Sequence, residues 1–382
     1  MTNRRWPHLT EIGRPQPDLG TPVNPVVERA STLLFAKAED LYRTDVRGYG
    51  RHGSSVHDAL SEAIGAIEGG EHVALSPSGL AACTLAILAM VKSGDHILVT
   101  DSVYGPTRFF CRTTLRRFGV EAEFYPPREG VDIAKRVRAN TSLIVLESPG
   151  SLTLEVQDIP AIVSVALEHD IRTVIDNTWS AGLTLKPLEL GVDASIQAAT
   201  KYYSGHSDVL LGAVICRDED VGKRIASMRK SLGHSVSPDD AYLVLRGLRT
   251  LVSRFEQAEA SSNSLAEHLE ADDRVAQVFH PALASHPDHA LWETQFSGGG
   301  CLFSFTLADS EESDALAFVN SLHRFGIGYS YGGYESLAIH CGPQLRREFK
   351  TDVDGPLIRL ACGTEPTNAL IADVKQALDA IG

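Results

Sequence analysis

The 382-residue chain carries 49 acidic residues against 35 lysines and arginines, a formal charge of -14, with 43% hydrophobic and 7% aromatic residues. That balance is ordinary for a soluble globular protein, and with no arginine or lysine stripe it argues against a nucleic-acid surface. It gives no reason to expect an anionic-membrane partner, and no apolar run reaches the roughly 18 residues needed to span a bilayer.

The length suits two domains at about 100–200 residues each. Residues 1–7 hold two arginines with no apolar stretch behind them, so no secretory signal is expected and a cytoplasmic location is. Residues 1–48, with Pro15, Pro17, Pro22 and Pro25, read as an extended arm able to lie on another subunit. From 49 to 235, apolar strand-like runs alternate with helix-length segments, predicting a mostly parallel sheet covered on both faces. Residues 236–382 predict a smaller carboxyl-terminal α+β domain. It opens on a long helix from 239 to about 269, with strands at 275–279 and 301–305 and helices at 312–325 and 367–381. Ser297-Gly298-Gly299-Gly300 reads as a flexible turn. Cys83, Cys111, Cys216, Cys301, Cys341 and Cys362 are scattered through apolar segments, as small buried hydrophobes of a reducing compartment would be.

Several segments carry chemistry. Leu75-Ser76-Pro77-Ser78-Gly79-Leu80 runs into an apolar helix, whose N-terminus could face an anion; ordinary capping by Ser78 is the simpler alternative. Tyr104 follows the strand-like run 96–100, where an aromatic either stacks on a flat ligand or packs. Asp176 closes the run Ile171-Arg172-Thr173-Val174-Ile175 at a strand's carboxyl end, where open α/β sheets bind ligands; it could instead cap the next turn. Lys201 sits behind the uncharged approach Ser195-Ile196-Gln197-Ala198-Ala199. Burial there lowers a lysine's pKa and frees the amine as a nucleophile, and the commonest protein use of such a Schiff-base lysine is to hold pyridoxal 5'-phosphate (PLP). A structural pair with Asp208 is the alternative. Arg359, alone in Leu357-Ile358-Arg359-Leu360, needs an anion, either a substrate carboxylate or a structural acid. No phosphate-binding Gly-x-x-x-x-Gly-Lys and no Cys-x-x-Cys occurs. His280, His286 and His289 lack carboxylate or cysteine partners in sequence, and no metal is expected.

These segments together, Ala198-Ala199-Thr200-Lys201-Tyr202, Gly205-His206-Ser207-Asp208, Asp176-Asn177-Thr178-Trp179 and Val103-Tyr104-Gly105-Pro106-Thr107, resemble the Cys/Met-metabolism PLP-dependent enzymes over nearly the whole chain. The resemblance is closest to the bacterial cystathionine β-lyase group. It implies an aminotransferase-like α/β fold (fold type I) with PLP bound to Lys201, Asp176 on the pyridine nitrogen and Tyr104 stacked on the ring. Ser78, Gly79, Leu80 and Thr200 would hold the phosphate. It also implies that Tyr49 and Arg51 reach the phosphate of a neighbouring subunit, in a homotetramer built as a dimer of dimers with shared sites. Tyr104 and Tyr49 count with Lys201 as catalytic, and Arg359, Ser330 and Tyr331 would bind a small sulfur amino acid.

Tyr331-Gly332-Gly333-Tyr334-Glu335-Ser336, Glu147-Ser148-Pro149-Gly150 and Ala198 resemble β-lyases rather than γ-enzymes, although β-lyases commonly have tryptophan where Tyr331 stands. The expected reaction is β-elimination of L-cystathionine to homocysteine, pyruvate and ammonia, in methionine synthesis. Cysteine desulfhydrase chemistry is one alternative, because Arg108-Phe109-Phe110 offers no carboxylate for the distal ammonium of cystathionine, and γ-lyase or γ-synthase chemistry on the same cofactor is another. A non-catalytic protein of the same fold is the alternative from another class.

Overall fold

The apolar runs of the first half become strands buried on both faces. The structure, a computed structural model, describes residues 8–381; residues 1–7, read above for a secretory signal, and Gly382 lie outside the described residues. Helix α1 (Ser55–Glu68) leads to β1 (His72–Ser76), α2 (Gly79–Met90), β2 (His96–Thr100), α3 (Gly105–Phe109), β3 (Glu121–Tyr125) and β4 (Thr141–Glu147). Then come α4 (Ile159–Glu168), β5 (Arg172–Asp176), β6 (Ala194–Gln197), β7 (Gly212–Cys216) and α5 (Glu219–Ser231).

These seven strands form one sheet in the order β1-β7-β6-β5-β4-β2-β3. Only β7 runs antiparallel to its neighbours, so the sheet is mostly parallel, as expected. Side chains alternate between two cores: along β4, Leu143 and Val145 join the α2 side, while Ile144 and Leu146 join the side of α1 and α4. Parallel strands of this kind deliver their carboxyl ends to one edge.

The second half holds α6 (Pro238–Leu248), α7 (Leu251–Glu270), β8 (Val275–Phe279), α8 (His289–Gln295), β9 (Leu302–Leu307) and α9 (Glu312–Ser321). It ends with β10 (Gly326–Ile327), β11 (Leu337–His340), β12 (Leu357–Ala361) and α10 (Thr367–Asp379). Its five strands are ordered β10-β11-β12-β9-β8. Phe318 of α9 meets Phe305 of β9 edge-on with centroids 5.4 Å apart, fastening helix to sheet.

Three local expectations are corrected. The single helix from 239 to about 269 is two, α6 and α7, parted at Arg249–Thr250. There the amides of Arg249 and Thr250 take tighter bonds to Arg246 and Gly247, while the Arg249 guanidinium holds the carbonyls of Leu9 and Ile12. Helix α9 stops at Ser321, short of 325, because the buried Asp373 carboxylate accepts the amides of His323, Arg324 and Phe325. Gly298-Gly299-Gly300 is buried and packed rather than flexible: a Cβ on Gly300 would lie 2.9 Å from the Trp179 ring, and the Gly299 amide donates to Glu259 at 2.7 Å.

Residues 8–48 contain little regular structure beyond a short turn at Ala38–Tyr42, and Leu19, Leu34 and Tyr42 are exposed. All six cysteines are buried and free. His280 is engaged by Ser262 and by the amide of Ala282, and among the described residues no group of three or more His, Cys, Asp or Glu could hold a metal. No helix among the described residues is long and apolar enough to cross a membrane.

Candidate active site

A cavity of about 490 Å³ lies at the carboxyl edge of the seven-stranded sheet, closed from the other side by residues 329–331 and by Arg359 of β12. It adjoins a second space of about 740 Å³, with which it shares Leu80, Tyr104, Gln344 and Arg359. The first cavity brings together Ser78, Gly79, Leu80, Tyr104, Asp176, Thr200, Lys201, Ser330, Tyr331 and Arg359 from segments scattered between positions 78 and 359. Tyr49 and Arg51 do not line it; the Arg51 guanidinium lies 5.1 Å from the Tyr49 ring, on a half-exposed turn of the same chain.

Lys201 stands in the turn that follows β6, fixed by Lys201 N–H to the Ala198 carbonyl at 3.0 Å and Gly205 N–H to the Lys201 carbonyl at 2.9 Å. Its Nζ donates to Ser330 Oγ at 2.8 Å and lies 4.9 Å from the Tyr331 ring centroid. The alternative pair with Asp208 is not formed. Burial, reinforced by the Arg359 charge and opposed by Asp176, brings the amine down to about 8. An amine in that range supplies free base near neutral pH.

Asp176 ends β5, in register with Ile196 of β6 and Glu147 of β4. The capping role is real: Oδ1 accepts Thr178 N–H at 3.0 Å and its hydroxyl at 2.6 Å. Oδ2 is left with the Cys83 thiol, 3.6 Å away, so one oxygen caps while the other can meet a ligand. Burial pushes this carboxyl above its ordinary value, opposed by the Thr178 bonds, and a cation beside it would reverse the effect.

Ser78 is the N-cap of α2, its hydroxyl accepting Ala81 N–H at 3.1 Å. The amides ahead of that bond belong to the first turn, which has no intrahelical acceptors, so capping and anion binding coexist. Gly79 is glycine because a Cβ there would stand 2.6 Å from that of Ala198, which lets the helix start sit against the lysine turn. Thr200 Oγ1 accepts Leu211 N–H at 3.0 Å, holding the turn to the chain entering β7.

Arg359 donates to the Ser330 carbonyl at 3.2 Å, and its Nε has no partner. No acidic side chain pairs with it among the described residues, and burial pulls its pKa down. A largely buried arginine that lines the cavity and has no acidic partner is equipped for an incoming carboxylate. Ser330, at φ 96°, holds a backbone conformation rare outside glycine and joins the two cations, accepting from Lys201 through Oγ and from Arg359 through its carbonyl.

Sequence reasoning passed over Glu147, Cys83 and Trp179 as site residues. Glu147 lines the cavity, accepts Tyr104 N–H at 2.7 Å and is pushed well up by burial and by Asp176. Its signal was available: it ends an apolar strand, as Asp176 does. The segment Arg108-Phe109-Phe110 does meet carboxylates, the buried Asp101 and Glu348 from the far half of the chain, but Arg108 pairs with both and Arg112 also holds Glu348.

Residues 10–379 match the family described as Cys/Met metabolism PLP-dependent enzyme. A Bordetella avium protein named cystathionine beta-lyase is 41% identical over 95% of this chain and 94% of its own length. The Escherichia coli cystathionine beta-lyase MetC is 40% identical over 96% of both chains. The crystal structure of metB from Corynebacterium glutamicum superposes with a TM-score of 0.92 at 29% identity, covering 98% of this chain and 97% of that one. The chain therefore belongs to the Cys/Met-metabolism PLP-dependent enzymes.

Proposed function

We propose that the protein is a cystathionine β-lyase, cleaving L-cystathionine with water to homocysteine, pyruvate and ammonia. The reading is carried by one observation: Ser330 ties the depressed amine of Lys201 to the unpaired guanidinium of Arg359 inside one cavity. A carboxylate-gripping group thus stands beside a base, which is the pairing that proton removal from an amino acid's Cα requires.

PLP, the cofactor of the family, suits the residues present: Asp176 is a buried acid with no cation bonded to it, Lys201 a buried amine, and the α2 N-terminus a cradle for phosphate. When bound, it supplies the electron sink that acidifies the substrate's Cα–H. Lys201 would hold the cofactor and, once released, take the Cα proton; Asp176 would keep the ring nitrogen protonated, and Tyr104 would stack on the ring. Ser78, Gly79, Leu80 and Thr200 would hold the phosphate, joined by Tyr49 and Arg51 from a neighbouring subunit. Arg359 grips the α-carboxylate through parallel N–H donors, with Ser330 and Tyr331 flanking it. The Cβ–S bond then breaks, the sulfur leaves as the thiol of homocysteine, and water releases the remaining three carbons as pyruvate and ammonia. The adjoining space of about 740 Å³ gives the homocysteine arm a place to lie, which favours cystathionine over cysteine.

The domain reading is an arm at 1–48, a cofactor domain at 49–235 and a carboxyl-terminal domain at 236–382. Exposed Leu19, Leu34 and Tyr42, with Tyr49 and Arg51 outside the cavity of their own chain, support a homotetramer with shared sites. The location is read as cytoplasmic. The test is thiol and pyruvate release by purified PLP-loaded enzyme given L-cystathionine. Equal amounts of the two are expected, and thiol without pyruvate refutes β-elimination.

A further inference from the structure

Behind the cavity lies a carboxylate that the mechanism does not use. Glu68 closes α1, is 0% exposed, and accepts four side-chain donors. Ser195 Oγ and Gln197 Nε2 each reach it at 2.7 Å, Asn177 Nδ2 at 3.2 Å and the Tyr203 hydroxyl at 3.3 Å. Lys186, the cation facing it, donates instead to the Ile67 carbonyl. Gly182 allows the approach, because a Cβ there would stand 2.1 Å from Glu68 Oε1.

The donors sit at particular places in the sequence. Asn177 directly follows Asp176, Ser195 and Gln197 belong to the strand that delivers the lysine turn, and Tyr203 lies two residues after Lys201. Asn177 and Gln197 are also bonded to each other, Gln197 Nε2 donating to the Asn177 carbonyl at 2.8 Å, and Asn177 N–H reaches Ile196 at 3.0 Å. One acceptor therefore spans both segments that carry the cofactor-facing residues. A carboxylate suits it best: a glutamine would turn an NH₂ toward donors, and an apolar side chain would leave the Ser195 and Tyr203 hydroxyls without an acceptor. Burial pushes the Glu68 carboxyl up, while Ser195, the Lys186 charge, Asn177 and Gln197 oppose it.

We propose that Glu68 is a positioning residue, clamping Asn177, Gln197 and Tyr203 so that Asp176 and Lys201 keep the separation that bound PLP requires. The inference rests on reading Asp176 and Lys201 as the cofactor-holding pair. The test compares PLP-loaded parent, Glu68→Gln, Ser195→Ala and Tyr203→Phe enzymes by the visible absorption of bound PLP, the pH midpoint of its change, kcat, KM and thermal unfolding. Glu68→Gln is expected to move the pH midpoint and to lower kcat by about 10- to 100-fold, the scale of a misplacement approaching 1 Å, with KM little changed. Ser195→Ala and Tyr203→Phe should move the midpoint in the same direction by less.

Variants that lose thermal stability while keeping the parent's absorption, midpoint and kcat overturn the proposal. If Glu68→Gln does not fold, the two milder variants decide it, and unchanged spectra in both overturn it. A parent that shows the PLP band but forms no pyruvate from cystathionine sinks the substrate reading alone, and a shifted band in the variants then still upholds Glu68. A parent that takes up no PLP overturns both.

Discussion

Lys201 should capture PLP with a pH profile bent near 8, because only the neutral amine attacks an aldehyde. The amine falls from an ordinary 10.5 to about 8, through burial first and the Arg359 charge second. At pH 7.5 an amine of 8 is neutral in roughly a quarter of molecules and one of 10.5 in roughly a thousandth, a difference of about 240-fold. The assay is the rate at which apoenzyme develops PLP absorbance between about pH 7 and 10.5, a range in which the cofactor's phosphate stays ionised. The rate should climb about fivefold from pH 7 to 8 and about twofold more before levelling off near 9. Replacing Arg359 by Ala removes a repelling cation and should move the bend upward. Replacing Asp176 by Asn removes a carboxylate that favours the ammonium and should move it downward. A rate still climbing at pH 10 would refute the reasoning, and so would a bend that ignores both variants.

The same depression makes Lys201 a burden on the apoenzyme. Lysine's pKa is lower folded than unfolded, so its cost, roughly 3 kcal/mol at most, is full below pH 8, shrinks as pH rises from 8 to 10.5 and is absent above that. Lys201→Met should accordingly raise apoenzyme stability at pH 7 by denaturant titration, and a loss there would contradict the burial argument. Arg359→Ala should lower kcat/KM for cystathionine by about 10- to 150-fold, mainly through KM, the scale of a lost charged hydrogen bond; an unchanged KM would remove it from carboxylate binding. Gly300→Ala should cost about 1–3 kcal/mol by crowding Trp179, read as a lower urea midpoint at constant slope; an unchanged midpoint would restore the flexible-turn reading.

The parallel sheet was legible because a strand buried on both faces writes itself as an unbroken apolar run, and Asp176 and Lys201 follow such runs. The division of α6 from α7 was hidden: Leu245, Leu248, Leu251 and Phe255 keep helical spacing across the break, so periodicity passes straight over it. Gly298-Gly299-Gly300 misled because glycine serves freedom and close approach alike, and only the arrival of Trp179 distinguishes them. Glu68 gave no local signal, since its donors lie 109 or more positions away and converge only in the folded chain. Glu147 ends an apolar strand as Asp176 does, a signal the sequence carries, while its place beside Asp176 comes from the pairing of the two strands.

The central claim is that the cavity breaks the bond between sulfur and the three-carbon arm of the substrate. The most direct measurement is mass spectrometry of the products from L-cystathionine carrying ¹³C throughout its three-carbon half, incubated with PLP-loaded enzyme. All of the label in pyruvate, with unlabelled homocysteine, is the predicted result. Label recovered in cysteine, with unlabelled 2-oxobutyrate, would contradict the account.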